Sequence, residues 1–120
     1  MSSRVLLVDD EPAVVETLRA ILIEAGYETA SATSFEDGRR LLLSSPAPDV
    51  IVADVRLGSF NGLQLVLMRP ATTAAIVISG HWDRMLEAEA RQNGAAYLPK
   101  PVAAATLIET VARVLEQRGT

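Results

Sequence analysis

Short runs of apolar, mostly β-branched residues alternate along this chain with longer segments in which apolar residues recur at helical spacing. This alternation is typical of βαβ units, in which parallel strands form a sheet with helices on both faces. It predicts five strands, in the ranges Arg4–Val8, Tyr27–Ala32, Asp49–Ala53, Ala75–Ile78 and Ala95–Leu98. The second is the least apolar, so we expect it at an edge of the sheet.

The segments between the strands predict amphipathic helices near Ala13–Ala25, Ser34–Leu43, Gly62–Met68 and Asp83–Asn93, followed by a last helix after Pro101. Apolar stripes mark the first and last helices: Val14, Leu18, Ile21, Leu22 and Ala25, then Leu107, Ile108, Val111, Val114 and Leu115. Pro12 opens the first helix, Gly26 is expected to end it, and Thr33 with Glu36 has the spacing of a capping box. The pattern predicts an α/β fold, a doubly wound (βα)5 domain around a five-stranded parallel sheet.

Length and composition predict one domain over residues 1–120, since 120 residues with 49% hydrophobic content are enough for one sizeable core. The absence of cysteine excludes disulfides, thiolate zinc sites and thiol nucleophiles. A net charge of −4 argues against direct nucleic-acid binding, which depends on clustered Lys and Arg. No apolar run is long enough for a membrane span, so a cytoplasmic location is expected.

Polar residues follow the carboxyl ends of four predicted strands. Asp9 and Asp10 follow the first, Asp54 the third, Ser79 the fourth, and Lys100 lies just beyond the fifth. Ligands of doubly wound sheets bind at this edge, where the strand order reverses, so we expect the five residues to form one site. Each alone has a simpler explanation, as a cap, a turn residue or a solvated lysine. The assignment depends on their occurring together.

Four segments in order, LLVDDEP, VADVRLGSFNG, VISG and YLPKP, resemble the four motif regions of response-regulator receiver domains. The resemblance covers essentially the whole chain. No single motif is specific, but their order on successive βα units is. The resemblance implies a flavodoxin-like sheet with strand order 2-1-3-4-5. It also implies a role in two-component signal transduction, with a phosphoryl group taken from a sensor histidine kinase or a histidine phosphotransfer protein.

Taken position by position, the resemblance implies that Asp54 is the phosphoacceptor, that Asp9 and Asp10 are an acidic pair, and that Lys100 contacts the phosphoryl group. Three crowded carboxylates repel one another unless a cation offsets their charge, and Mg²⁺, with Mn²⁺ as a substitute, suits oxygen ligands. The expected direct metal ligands are Asp10 and Asp54, Asp9 is expected to act directly or through water, and the resemblance adds the carbonyl of Arg56. Such a domain would catalyse its own phosphorylation and dephosphorylation without turning over a separate substrate.

The resemblance also implies a switch. Ser79 is its expected hydroxyl, part of the catalytic set, and Tyr97 is expected to rotate inward when Ser79 binds a phosphoryl oxygen. The repacked face, made by the fourth helix, fifth strand and fifth helix, would bind an output domain or partner, and a phosphorylation-dependent dimer is a further expectation. Arg56 and His81 hold positions whose side chains overhang the phosphoryl group in this family. The Lys100–Pro101 bond is expected to be cis.

Some positions depart from the family pattern. Gly58 stands where the family usually has Pro, which predicts a more mobile loop after Asp54. The interval from Asp54 to Ser79 is a few residues shorter than expected, and that from Ser79 to Lys100 about one residue shorter. We expect these deletions to affect the surface around the third and fourth helices and to leave the catalytic set intact.

Three alternative functions fit the sequence less well. A pseudo-receiver that binds partners without phosphorylation would lack Asp54, the acidic pair or Lys100, and all are present. A haloacid-dehalogenase-like phosphatase requires Asp-x-Asp after the first strand, where this chain has Asp9-Asp10-Glu11. A flavodoxin-like flavin carrier requires a hydroxyl-rich phosphate loop, and an acidic loop would repel a flavin phosphate.

Overall fold

The structure, a computed structural model, describes residues 2–118, which form a five-stranded parallel sheet, a two-stranded hairpin and five helices. The strands are β1 (Arg4–Val8), β2 (Glu28–Ala32), β3 (Val50–Asp54), β4 (Arg56–Leu57), β5 (Phe60–Asn61), β6 (Ala74–Ser79) and β7 (Ala96–Pro99). The helices are α1 (Pro12–Glu24), α2 (Phe35–Leu42), α3 (Gly62–Met68), α4 (Arg84–Gln92) and α5 (Ala104–Gln117). No helix among these residues has the length and apolar content that a membrane span requires.

The main sheet has the order β2-β1-β3-β6-β7, and every pairing in it is parallel. Leaving out the separate hairpin of β4 and β5, this is the predicted order 2-1-3-4-5, so the doubly wound (βα)5 fold is confirmed. The register aligns Val8 with Ala53, Asp54 with Ile78, and Ser79 with Pro99. The carboxyl ends of β1, β3, β6 and β7 therefore lie along one edge of the sheet. The predicted bounds 1–120 include Met1, Gly119 and Thr120, which lie outside the described residues.

Two apolar layers enclose the sheet because strand side chains alternate between its faces. Leu6, Ile51 and Val77 lie in one buried cluster with residues of α2, α3 and α4. Val5, Val52 and Ile76 lie in the other, with residues of α1 and α5. Burial on both faces explains why β1, β3 and β6 are continuous apolar runs rather than alternating ones.

Several local predictions need correction. Strands β3 and β6 each end one residue later than predicted, at Asp54 and Ser79, because the ladder continues to Asp54↔Ile78 and Ser79↔Pro99. The predicted capping box of Thr33 is wrong by one position: Ser34 caps α2 and its hydroxyl accepts a hydrogen bond from the N–H of Asp37. In α1, Val15, which is not part of the predicted apolar stripe, is buried. Ala25, which is part of it, is exposed, and it lies beyond the helix, which ends at Glu24.

Arg118, which follows α5, is tied to the amino ends of the strands by an ion pair with Asp49. Arg118 Nη1 donates to Asp49 Oδ1 at 2.8 Å and to the carbonyls of Asp49 and Thr72 at 3.2 and 3.3 Å. The other carboxylate oxygen of Asp49 accepts from the backbone N–H of Arg4 at 2.8 Å. Asp49 thereby links α5 to β1 at the edge opposite the polar residues.

The chain turns from β3 into α3 through a close backbone contact. The N–H of Gly62 donates to the carbonyl of Val55 at 2.8 Å. A Cβ at Gly62 would overlap the carbonyl oxygen of Asp54, so only glycine fits without displacing the backbone of β3. The position of Asp54 therefore depends on a residue eight positions later in the chain.

Gly62→Ala is expected to lower the free energy of unfolding by about 1 to 3 kcal/mol, the range typical of overpacking, because the new methyl group meets backbone atoms. Urea unfolding measures this. Gly80→Ala is the matched control: its Cβ would meet only Lys100 Cδ, at 4.0 Å. That variant should stay within about 0.5 kcal/mol of wild type. Equal stability of the two variants would contradict the close contact.

Candidate functional site

Three carboxylates meet at the carboxyl edge of the sheet. Asp9 follows β1, Asp10 is the next residue, and Asp54 ends β3. One oxygen from each lies within 4.8 Å of the others, with Asp9 and Asp54 buried and Asp10 exposed. The parallel register brings together residues that are 45 positions apart in sequence, as expected for this edge of a doubly wound sheet.

Lys100 extends its ammonium into this cluster from the end of β7. Its Nζ donates to Asp54 Oδ2 at 3.1 Å and lies 2.9 Å from Asp9 Oδ2 and 3.9 Å from Glu11 Oε1. The backbone N–H of Lys100 donates to the carbonyl of Ser79 at 2.8 Å, which fixes the root of the side chain. The Lys100–Pro101 peptide bond is cis, as predicted.

The charges of the site are not balanced, because one ammonium cannot neutralise three carboxylates. Burial raises the pKa of Asp54 above its ordinary value and the charge of Asp9 raises it further, although the hydrogen bond from Lys100 acts in the opposite direction. Burial alone would lower the pKa of Lys100, but its close contacts with the negatively charged carboxylates of Asp9 and Asp54 raise it overall. The ammonium is thus held charged among the carboxylates.

These residues fit a divalent cation. Asp9 Oδ2 is buried and, although ion-paired with Lys100, receives no well-directed hydrogen bond from the described residues. An oxygen in that condition has a lone pair available for a metal. Hard cations bind carboxylate oxygens, and the repulsion among three such groups is relieved when a dication binds. The cluster therefore has the ligand chemistry that the sequence predicted.

The hydroxyl of Ser79 is already engaged. Ser79 is 5% exposed, and its Oγ donates to the carbonyl of His81 at 2.6 Å and accepts from the N–H of His81 at 3.2 Å. This closed turn lies beside the cavity that holds Asp54. Binding of the hydroxyl to any ligand in the cavity would require it to release the carbonyl of His81.

Tyr97 points inward, and its expected movement when Ser79 binds a phosphoryl oxygen stays a prediction. The side chain is 6% exposed and packs in the cluster on the α3 and α4 face of the sheet. Its hydroxyl has no hydrogen-bond partner among the described residues. A buried, unpaired hydroxyl costs about 1 to 3 kcal/mol, which reduces the energetic advantage of the buried ring over a hydrated one.

A cavity of about 390 Å³ opens above the cluster and holds most of the predicted site. The two predicted rim residues, Arg56 and His81, both line it. The full lining is Asp10, Glu11, Asp54, Arg56, Ser79, Gly80, His81 and Lys100. Asp9 lies beneath this surface, and Tyr97 lies in the core. The structure thus brings the predicted residues together around this cavity, except for Tyr97, which is buried in the core on the α3 and α4 face of the sheet.

Sequence reasoning missed the hairpin beside the cluster. β4 and β5 pair as Arg56↔Asn61 and Leu57↔Phe60. The N–H of Gly58 in its turn donates to Asp10 Oδ2 at 3.3 Å. Phe60 stacks on Phe35, with ring centroids 4.6 Å apart. Two-residue strands leave no periodic signal, and only Gly58-Ser59 between apolar residues indicated a turn.

Comparisons with known proteins agree with this geometry. The family model of the response regulator receiver domain matches residues 5–112. The chain is 33% identical to protein PilH of Pseudomonas aeruginosa, over 94% of this chain and 98% of PilH. It is 34% identical to the C4-dicarboxylate transport transcriptional regulatory protein DctD of the same organism, over 97% of this chain but 26% of DctD. The chain spans 26% to 44% of the length of DctD and two other, longer relatives that it matches.

A solved structure supports the same relationship. The fold superposes with a TM-score of 0.88 on a CheY-like response regulator receiver domain protein from Methanospirillum hungatei. The two are 25% identical, and the match covers 99% of this chain and 98% of the other. The shorter intervals noted in the sequence therefore leave the overall fold unchanged.

Asp54→Asn is expected to raise the free energy of unfolding at pH 7 in metal-free buffer. Because its folded pKa is raised, Asp54 binds a proton more tightly in the folded state, so stability falls as pH rises from 3.8 through the folded pKa. The advantage of the variant should vanish as pH is lowered back through that interval. Urea unfolding in EDTA at a series of pH values measures it.

Asp49→Asn is the matched comparison, with the opposite sign. Burial raises the pKa of Asp49, but hydrogen bonds from Arg4 and Arg118 lower it below its ordinary value overall. Its carboxylate stabilises the fold above the unfolded pKa, and this contribution is lost as pH falls through the folded pKa. Asp49→Asn should therefore be less stable than wild type at pH 7. If Asp54→Asn were also less stable there, the repulsion described above would not dominate the site.

Proposed function

The chain belongs to the response regulator receiver family, whose members accept phosphoryl groups in two-component signal transduction, and we propose that Asp54 is its phosphoacceptor. The observation that carries this proposal is the buried Asp54 carboxylate, hydrogen-bonded to Lys100 beside Asp9 and Asp10 at the base of an open cavity. The proposed donor is a phosphohistidine of a sensor histidine kinase or a histidine phosphotransfer protein.

The proposed reaction requires positioning and charge stabilisation more than acid-base chemistry. An oxygen of Asp54 bonds to phosphorus as the P–N bond of the donor breaks, and the bonding electron pair goes to the imidazole nitrogen. Lys100 Nζ, 3.1 Å from Asp54 Oδ2, stabilises the negative charge of the phosphoryl oxygens. No general base is required because the carboxylate is already ionised when it attacks.

We propose that Mg²⁺ is held by Asp9, Asp10, Asp54 and the carbonyl of Arg56, with Mn²⁺ as a substitute. When bound, the ion neutralises phosphoryl oxygens as a Lewis acid and also favours hydrolysis of the acyl phosphate. The side chains of Arg56 and His81, which line the cavity, are proposed to control the access of water. The lifetime of the phosphorylated form depends on that access.

The proposed output is a shift between two states that exist before phosphorylation. The Ser79 hydroxyl leaves the carbonyl of His81, 2.6 Å away, and binds a phosphoryl oxygen instead. The loop from Ser79 to His81 then moves, and the balance between the buried Tyr97 ring and its hydrated alternative changes. Tyr97 lies on β7, so the change reaches the surface of α4, β7 and α5.

Residues 1–120 are proposed to be one receiver domain. The surface of α4, β7 and α5 is the proposed binding site for an output domain, a separate partner or, after phosphorylation, a second copy of this chain. A phosphorylation-independent binding module is not favoured, because Asp9, Asp10 and Asp54 are all present and lie together, with Lys100 ion-paired to Asp9 and Asp54. The expected cytoplasmic location and lack of direct nucleic-acid binding stay predictions.

Incubation with acetyl phosphate and MgCl₂ is expected to add one phosphoryl group at Asp54, acid-stable and base-labile, as measured by intact mass. Asp54→Asn should remain unmodified. Asp37→Asn, an exposed position on α2, is the matched control and should label like wild type. Equal labelling of Asp54→Asn and wild type would rule out this acceptor.

Ser79→Ala is expected to accept the phosphoryl group but to lose the response at Tyr97. One hydrogen bond to a charged oxygen contributes about 1.5 to 3 kcal/mol, which shifts a two-state population about ten- to a hundredfold. The measurement is the amide chemical shifts of residues 95–104 with and without beryllofluoride and Mg²⁺. Ser44→Ala, at the exposed end of α2, should respond like wild type. A full wild-type response in Ser79→Ala would place the coupling elsewhere.

A further inference from the structure

The β4–β5 hairpin carries two groups that bear on the proposed metal site. Arg56, whose carbonyl is a proposed ligand, is the first residue of β4 and pairs with Asn61. Gly58, in the turn, donates its N–H to Asp10 Oδ2 at 3.3 Å. A carboxylate has two oxygens, so Asp10 can keep this hydrogen bond while its other oxygen faces the ion. The hairpin therefore bears one proposed ligand and orients another.

Gly58 can hold this position because of its backbone. Its φ is +62°, in the left-handed region that other residues adopt at a cost. In that conformation the two-residue strands β4 and β5 pair on either side of the turn. Strand β5 leads directly into α3, where Asn61 and Gln64 form a capping box. The end next to α3 is thus fixed, and the turn needs a separate anchor.

Phe60 supplies that anchor. Its ring stacks on Phe35 at 4.6 Å between centroids and an interplanar angle of 18°. Phe35 is 8% exposed and belongs to the buried core at the start of α2, whereas Phe60 is 49% exposed. A large apolar side chain that remains half exposed contributes little to the core itself. Its contact instead joins a two-stranded hairpin, which is marginally stable alone, to the body of the protein.

We propose that Phe60 is a positioning residue for the divalent cation: stacked on Phe35, it holds the β4–β5 hairpin so that Gly58 orients Asp10 and Arg56 presents its carbonyl. The inference rests on the proposed function, since it assumes that Mg²⁺ binds at Asp9, Asp10 and Asp54. Groups that hydrogen-bond to metal-ligating carboxylates typically change metal affinity about 10- to 100-fold when lost. Because linkage is reciprocal, metal binding must also order the hairpin.

The test is a titration of ¹⁵N-labelled protein with MgCl₂, with the dissociation constant taken from amide chemical shifts. Phe60→Ala is expected to raise the dissociation constant about tenfold. Phe60→Tyr keeps the stacked ring and should bind like wild type. Leu67→Ala is the matched control, because Leu67 is also a half-exposed apolar residue, 59% exposed on α3 and outside the hairpin. It should leave the dissociation constant within about twofold of wild type.

Amide hydrogen exchange of the wild-type protein gives a second readout that needs no variant. Saturating MgCl₂ should slow exchange at Gly58 and Asn61, which lie in the hairpin. The amides of the carboxyl end of α5, which lies at the opposite edge of the sheet, should be unaffected.

The outcomes separate this inference from the function on which it rests. If wild type shows no saturable shift with MgCl₂, the metal site itself is wrong. If wild type binds and folded Phe60→Ala binds equally well, the metal site stands and the positioning role of Phe60 is overturned. If circular dichroism in the absence of urea shows that Phe60→Ala is unfolded, the exchange experiment on wild type decides. Unchanged exchange at Gly58 and Asn61 with MgCl₂ then overturns the inference.

Discussion

Electrostatic repulsion among Asp9, Asp10 and Asp54 is the constraint on which the rest of the site depends. The parallel sheet forces these carboxylates together, and Asp9 and Asp54 are buried where water screens them poorly. One ammonium, that of Lys100, offsets part of the charge. The remaining negative charge favours a dication and then a phosphoryl group whose oxygens that cation can bind. The proposed binding and chemistry at this edge are consequences of a charge imbalance that the fold imposes.

The fold could be predicted from the sequence because its signals are long and redundant. Continuous apolar runs such as Val50–Ala53 are required when a strand is buried on both faces, and the helical stripes between them identify the crossover connections. Once the strands are known, parallel pairing places Asp9, Asp54, Ser79 and Lys100 at one edge. The convergence of the site therefore followed from the fold, and the resemblance supplied the roles.

The details that escaped prediction depend on single contacts rather than on patterns. Thr33 and Ser34 are both good helix caps, and only the backbone path decides that Ser34 bonds to Asp37. The inward position of Tyr97 follows from packing against α3 and α4, which sequence spacing does not describe. The hairpin is too short for periodicity, and the stacking of Phe60 on Phe35 joins residues 25 positions apart. Tertiary contacts of this kind become visible only in three dimensions.

The link between Asp49 and Arg118 gives β3 a mechanical role. Asp49 immediately precedes this strand and binds Arg118, the residue directly after α5. Asp54 ends the strand at the opposite edge, about 17 Å away at 3.3 to 3.4 Å per residue. β3 is buried at every position and hydrogen-bonded to β1 and β6 on its two sides, so its neighbours restrict its movement in the centre of the sheet. A displacement of the end of α5 would therefore act on the same strand that carries the proposed acceptor carboxylate.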